Sequence, residues 1–226
     1  MKPTSSLLLL CLLSPLGVAC DARVVAIEVL PPRTSATCAA PGLQSSAAAR
    51  GLLDLEASSF LHGSYRADVR VTSRGEVRVD GLALSFTLPE GASSDSTKAA
   101  DAASGEQVVG DLYLPGDDTD PTSGILEDVV LLPRALAVAL RDDDAIEADE
   151  TRYATVNVTL QALSGDSALS ELSATFPIDV CRGCLVSEPS AEECPDGFED
   201  TSACRPGQDV ELYQCSTPPS AGGIFP

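Results

Sequence analysis

The sequence predicts an all-β fold: an immunoglobulin-like β-sandwich with one short crossover helix and a disulfide-rich C-terminal tail. Three observations carry this. Apolar and polar residues alternate with a period of two in several short segments, the mark of half-buried strands. Clusters of Gly, Pro, Asp and Ser punctuate those segments, as they do between the strands of a sandwich. Aromatic residues make up only 4% of the chain and Trp is absent, so the core must be built from Val, Leu, Ile and Ala.

The elements follow in order. Val24, Val25, Ile27, Val29 and Leu30 read as a first strand, stopped by Pro31-Pro32. Cys38 to Arg50 is an Ala/Ser-rich loop, and Leu52, Leu53 and Leu55 open a short second strand. From Tyr65 to Val71, Ala67, Val69 and Val71 alternate with Arg66, Asp68 and Arg70. Val77 and Val79 then alternate with Glu76, Arg78 and Asp80. A three-residue loop at Ser73-Arg74-Gly75 would pair Val71 with Val77 and Val69 with Val79, because register decides which face the apolar rows share. Gly75 would take the left-handed position of that loop. Diagonal pairs Arg70–Asp80 and Asp68–Arg78 would offset the facing Arg70 and Arg78. The four arginines of this segment, interleaved with acids, read as a solvated sheet face. After Gly81 the apolar set shifts by one, to Leu82, Leu84, Phe86 and Leu88, which predicts a β-bulge.

Pro89 to Gln107, rich in Ser, Ala and Asp, reads as a mobile loop. Val108 to Leu114 follows as a strand, Gly116 to Gly124 as an acidic turn, and Ile125 to Leu132 as an apolar segment. Pro133 suits the first turn of a helix. Leu132, Leu136 and Leu140 recur every four residues, so Pro133 to Asp143 is the one predicted helix. Tyr153 to Leu163 alternates again, and Leu172, Ala174, Phe176, Ile178 and Val180 make a last strand. Pro177 within it argues for an edge position or a bulge. The tail holds Cys181, Cys184, Cys194, Cys204 and Cys215; between Glu188 and Cys215 eight acids face the single base Arg205. It reads as a small stapled segment with little core of its own. The predicted organisation is a leader over 1–19, a sandwich over 20–180 and a Cys-rich acidic tail over 181–226. The sandwich is long enough to bury roughly 70% of its unfolded surface without relying on disulfides.

The leader has a charged start at Met1-Lys2 and an apolar run from Leu7 to Leu13. That run is too short to span a bilayer, and small residues follow it, as in a secretory signal. It closes on Leu16-Gly17-Val18-Ala19-Cys20, which resembles a bacterial lipoprotein signal. The resemblance implies cleavage before Cys20 and acylation of that residue, and so a protein anchored in the cell envelope. Parity agrees. With Cys11 lost and Cys20 acylated, Cys38 and the five tail cysteines form an even set, as expected for disulfides in an oxidising compartment. Five tail cysteines cannot all pair among themselves, so Cys38 is expected to bond to the tail, at Cys181 or Cys184. The ending Phe176-Pro177-Ile178-Asp179-Val180-Cys181-Arg182-Gly183-Cys184-Leu185, with Pro206-Gly207-Gln208-Asp209 beyond it, is similar to exported lipoproteins of myxobacterial type that have a Cys-rich tail and no assigned activity. The likeness implies location and carries no activity with it.

The formal net charge is −20, and removing residues 1–19, with Lys2 and no acid, makes it −21. Such a chain repels nucleic acid and anionic headgroups, so the expected membrane contact is through acyl chains on Cys20. The remaining expected partners are an envelope protein or a glycan.

The sequence predicts no enzyme and no cofactor. Cys181-Arg182-Gly183-Cys184 is a C-x-x-C pair, and Arg182 would favour a thiolate. It therefore supports an alternative reading as a periplasmic thiol–disulfide oxidoreductase. No helix is expected after it, which favours two half-cystines at a strand end. The C-x2-C spacing also suits zinc, but the sequence contains no second such pair. His62 is the only His, which excludes two-histidine metal sites, and no G-x-S-x-G elbow accompanies it. Asp117, Asp118 and Asp120, and the cluster Asp142, Asp143, Asp144, Glu147, Asp149 and Glu150, are weak Ca²⁺ candidates. Neither run has the D-x-[DN]-x-[DN]-G spacing, so the expected assignment is no metal and solvated acidic loops. A hydrolase acting through paired carboxylates has no identifiable pair.

Overall fold

The computed structural model describes residues 23–33, 41–56, 63–116, 119–146, 153–164, 167–168, 172–187, 208–209 and 212–213. The chain is mostly β, with two main sheets around one apolar core. The strands are β1 (Arg23–Val29), β2 (Gly51–Asp54), β3 (Tyr65–Arg74), β4 (Val77–Thr87), β5 (Gly105–Leu114), β6 (Thr122–Leu132), β7 (Ala154–Ser164), β8 (Ser167–Ala168), β9 (Ala174–Cys181), β10 (Val186–Ser187) and β11 (Leu212–Tyr213). Helix α1 (Ser94–Ala103) joins β4 to β5, and α2 (Arg134–Arg141) follows β6. The smaller sheet has the order β1-β3-β6. The larger runs β2-β9-β7-β4-β5, with β8 beside β7, and curls into a half-barrel. β10 and β11 form a parallel pair in the tail.

The period-two reading is confirmed strand by strand. Val69, Val71, Val79, Val156, Val158, Leu160, Ile178 and Val180 are completely buried. Tyr65 of the small sheet and Phe176 of the large one lie with ring centroids 6.1 Å apart, so aromatic contact joins the sheets within the core. The predicted bulge is present, since the β4–β5 register slips between Val79 and Gly81. Leu82 and Leu84 are buried after it. Pro133 caps α2, and Leu132, Leu136 and Leu140 are fully buried, as the four-residue spacing requires.

Four expectations are corrected. The first is the hairpin. β3 and β4 are not paired; β3 belongs to the small sheet and β4 to the large one. Their two valine rows still turn into one core, but as members of two sheets rather than neighbours in one. Gly75 is left-handed as expected (φ 74°), and its turn carries the chain from sheet to sheet. The β5–β6 connection returns the chain beside it: a methyl on Gly116 would sit on the Gly75 carbonyl oxygen. The arginines accordingly find other acids. Arg70 pairs with Glu28, Arg66 with Asp128, and Arg78 with Asp80 and Asp111. Asp68 is not on a solvated face. It is completely buried, accepts from Arg33 Nη2 and Nε at 2.6 and 2.8 Å, and accepts the Asp128 N–H, where the β3–β6 register slips.

Second, residues 94–103 form α1 rather than loop. Ser93 caps it by accepting the Ser96 N–H, and only Ser96 and Ala100 are buried. Its apolar stripe is too thin to show as a period. Third, β9 is not an edge strand; it lies between β7 and β2. β2 pairs with it in parallel only from Ile178 onward, so Pro177 falls just before the stretch that β2 covers. Fourth, Cys181 is bonded to Cys184, which excludes either from pairing with Cys38. Left-handed Gly183 (φ 76°) turns the chain back at the end of β9, leaving the two Cα atoms 5.9 Å apart.

Candidate functional site

The richest chemistry gathers where β2 and β9 end side by side. Their parallel register sets Asp54 against Cys181. Leu53, Asp54 and Leu55 are all buried, so the carboxylate of Asp54 has no water to hydrogen-bond it and must find donors in the protein. It finds three. Oδ1 accepts the Glu56 and Gly183 N–H groups, each at 2.9 Å, and Oδ2 accepts the Leu185 N–H at 2.9 Å. Two of these donors belong to the turn that the disulfide closes. An oxygen of Asp54 and the sulfurs of Cys181 and Cys184 all lie within 4.8 Å of one another. Cys181 is completely buried and Cys184 half-buried.

Arg182 leaves this turn and donates from Nη2 to the Asp143 carbonyl at 2.6 Å. That bond reaches a second buried carboxylate. Asp143 Oδ2 accepts the Ser93 N–H at 2.7 Å and the Ser96 hydroxyl at 2.6 Å, and Oδ1 accepts the Ala145 N–H at 3.0 Å. It ties the start of α1 to the loop after α2, where the helix dipole favours a negative charge. Burial opposes ionisation of Asp143; the bonds from Ser96, Ser93 and Ala145 override it and lower the carboxyl to about 2. Glu90, Asp95, Asp142 and Asp144 stand around it, lining an open cavity of about 730 Å³. The bowl has the charge to attract cations. Its one buried carboxylate is already committed to α1.

The tail also reaches the body. Gln208 is buried and bridges Leu53 of β2. Its side-chain amide pairs with the backbone of Arg66 in β3, accepting the N–H at 2.8 Å and donating to the carbonyl. Asp209 accepts the Leu52 N–H at 2.6 Å and returns its own N–H to the Leu52 carbonyl at 2.8 Å. Gln208 thus acts as a peptide group joining β2, an edge strand of the large sheet, to β3, the central strand of the small one.

Among the predicted sites, the structure brings Cys181 and Cys184 together. Asp142, Asp143 and Asp144 share the acidic bowl, and Asp120 is exposed. Cys20, Cys38, His62, Asp117, Asp118, Glu147, Asp149, Glu150, Cys194, Cys204 and Cys215 lie outside the described residues. Sequence reading missed Asp54, Gln208 and the capping role of Asp143. The only local signal was Asp54 itself, a charge inside an apolar run. Comparison with known proteins finds no family model that matches the chain and no similar curated protein.

Proposed function

We propose that this chain is a non-catalytic envelope protein, held to a bacterial membrane by acyl chains on Cys20, whose body is an immunoglobulin-like interaction or structural module. One observation supports it most. β1 begins at Arg23, so only Asp21 and Ala22 separate the anchor residue from the fold. The three steps from Cys20 to Arg23 span at most about 11 Å, which would hold the body against the bilayer surface. A body of such negative charge gains nothing from anionic headgroups. A single myristoyl chain binds only marginally, with a constant of about 10⁴ M⁻¹, so two or more chains are needed for stable anchoring.

A protein or glycan partner would meet the outer face of the large sheet. There Ser85, Thr159 and Thr175 stand in one register row, with Thr87 and Asn157 in the next. The row is uncharged in a strongly acidic chain, and hydroxyl and amide groups suit hydrogen bonding to a neutral polymer. Mass spectrometry of the exported protein tests the anchor. An N-terminus at Cys20 carrying acyl mass, and release of Cys20→Ser into the soluble fraction, are expected. An unmodified Cys20 or another start would overturn the reading.

The oxidoreductase reading is the runner-up, favoured by a bonded Cys181–Cys184 pair whose Cys184 is half-exposed. Against it stands the Asp54 carboxylate, a negative charge that disfavours a neighbouring thiolate. A reduction potential above about −300 mV for this pair would favour catalysis; a lower one favours a structural staple.

A further inference from the structure

We infer that Asp54, Cys181 and Cys184 form a site for a thiophilic divalent cation of the zinc class once their disulfide is reduced. The C-x2-C spacing alone lacks further ligands, and the structure supplies one from β2, far away in sequence. Three donor atoms, two sulfurs and a carboxylate oxygen, already lie within 4.8 Å of one another. Zinc takes such ligands at about 2.3 Å to sulfur and about 2.0–2.2 Å to oxygen, and three protein ligands leave a fourth position for water. The carboxylate is also oriented in advance. The N–H groups of Glu56, Gly183 and Leu185 fix it, as outer-shell hydrogen bonds fix the ligands of metal sites. Two of those donors come from the loop carrying the cysteines, so the loop keeps its place when the disulfide opens. Asp54 and Cys181 are completely buried, which leaves the half-buried Cys184 side for entry and for the water.

The chemistry balances. A dithiol or phosphine reductant takes the disulfide to two thiols and is itself oxidised. The cation then displaces both thiol protons to solvent. Two thiolates and a carboxylate bring three negative charges against two positive ones, and Arg182 sits between the cysteines in sequence. Without the ion, three such groups would repel one another in a buried site. Disulfide and metal are therefore alternative closures of one loop, and the oxidised chain has no site.

The test uses the full exported chain, reduced with a phosphine under argon, with and without one equivalent of Zn²⁺. Alkylation is followed at each cysteine by peptide mapping. Zn²⁺ should slow alkylation of Cys181 and Cys184 at least about tenfold. X-ray absorption should report two sulfurs with oxygen completing the shell. Asp54→Asn should weaken binding by about tenfold or more. If that variant does not fold, Cys184→Ser, at the half-exposed position, should remove the protection of Cys181. Equal alkylation rates with and without Zn²⁺, a shell of three or four sulfurs, undiminished binding by folded Asp54→Asn, or equal binding by the unreduced chain would each overturn the assignment.

Discussion

Asp54 and Asp143 solve the same problem at two corners linked by the bond from Arg182 to the Asp143 carbonyl. Each is a buried carboxylate satisfied by three or more donors. Around Asp143 the donors are two serines at the start of α1 and the Ala145 amide, and the neighbours are other carboxylates. Around Asp54 the donors are loop amides, and the neighbours are two sulfurs. The difference teaches that a carboxylate's surroundings decide what it can do beyond folding. Asp143 is a cap whose charge is spent on α1. Asp54 holds a loop and also stands within ligand distance of soft donors.

The comparison can be broken most severely at Asp54. Asp54→Ala would strand three backbone N–H groups, two of them in the disulfide turn. Unsatisfied buried groups cost about 1–3 kcal/mol each, so a loss of about 4 kcal/mol is expected in urea unfolding. A loss below about 1 kcal/mol would mean that water replaces the carboxylate. Removing Arg33, which faces another buried carboxylate, Asp68, should come next. Arg33→Met removes the cation bonded to that charge, at a cost of about 3 kcal/mol. The paired Asp68 raises the Arg33 pKa further above its already high value, so no pH near neutrality relieves the pair.

Asp143 predicts a pH signature. Its folded pKa of about 2 lies below the ordinary aspartate value of 3.8, so between these values the unfolded chain binds more protons. The stabilisation is complete above pH 5, shrinks as pH falls through 4, and is gone below about 2. It amounts to about 2 kcal/mol. Asp143→Asn should lose that stabilisation at neutral pH and flatten this part of the acid profile. An unchanged profile would show that the cap is not ionised. Opening the disulfide should cost about 2 kcal/mol, because the loop it closes is short. Cys181→Ala/Cys184→Ala, in which no reoxidation can occur, gives that value by urea unfolding. Smallest of all, Ser93→Ala removes the α1 cap and should cost about 1 kcal/mol.

The strands were legible because burial on one face imposes a period of two, and Val69, Val79, Val158 and Ile178 obey it. The same period misled at β3 and β4. Alternation reports which side of a strand meets the core, not which sheet the strand joins. A turn at Gly75 serves a hairpin or a crossover equally well. Helix α1 was illegible because it buries only Ser96 and Ala100. Asp54 could not be read as a site residue, because its meaning comes from the parallel pairing of β2 with β9, a contact no local pattern encodes. The pairing of Cys181 was misassigned because parity counts cysteines without placing them. Gly183, a left-handed position two residues after Cys181, was the local clue that the chain turns back on itself.

Everything distinctive about the Asp54 corner depends on Cys181 meeting Cys184. The most direct measurement is a peptide map of the full chain under non-reducing conditions. Trypsin cuts after Arg182 but spares Arg205-Pro206, leaving Cys184 on one peptide with Cys194, Cys204 and Cys215. With Glu-C cutting after Glu193 as well, a peptide ending at Arg182 and one starting at Gly183 should be joined by one disulfide, located by fragmentation at Cys181 and Cys184. Cys181 joined to Cys38 or to any other cysteine, or present as a free thiol, would contradict it.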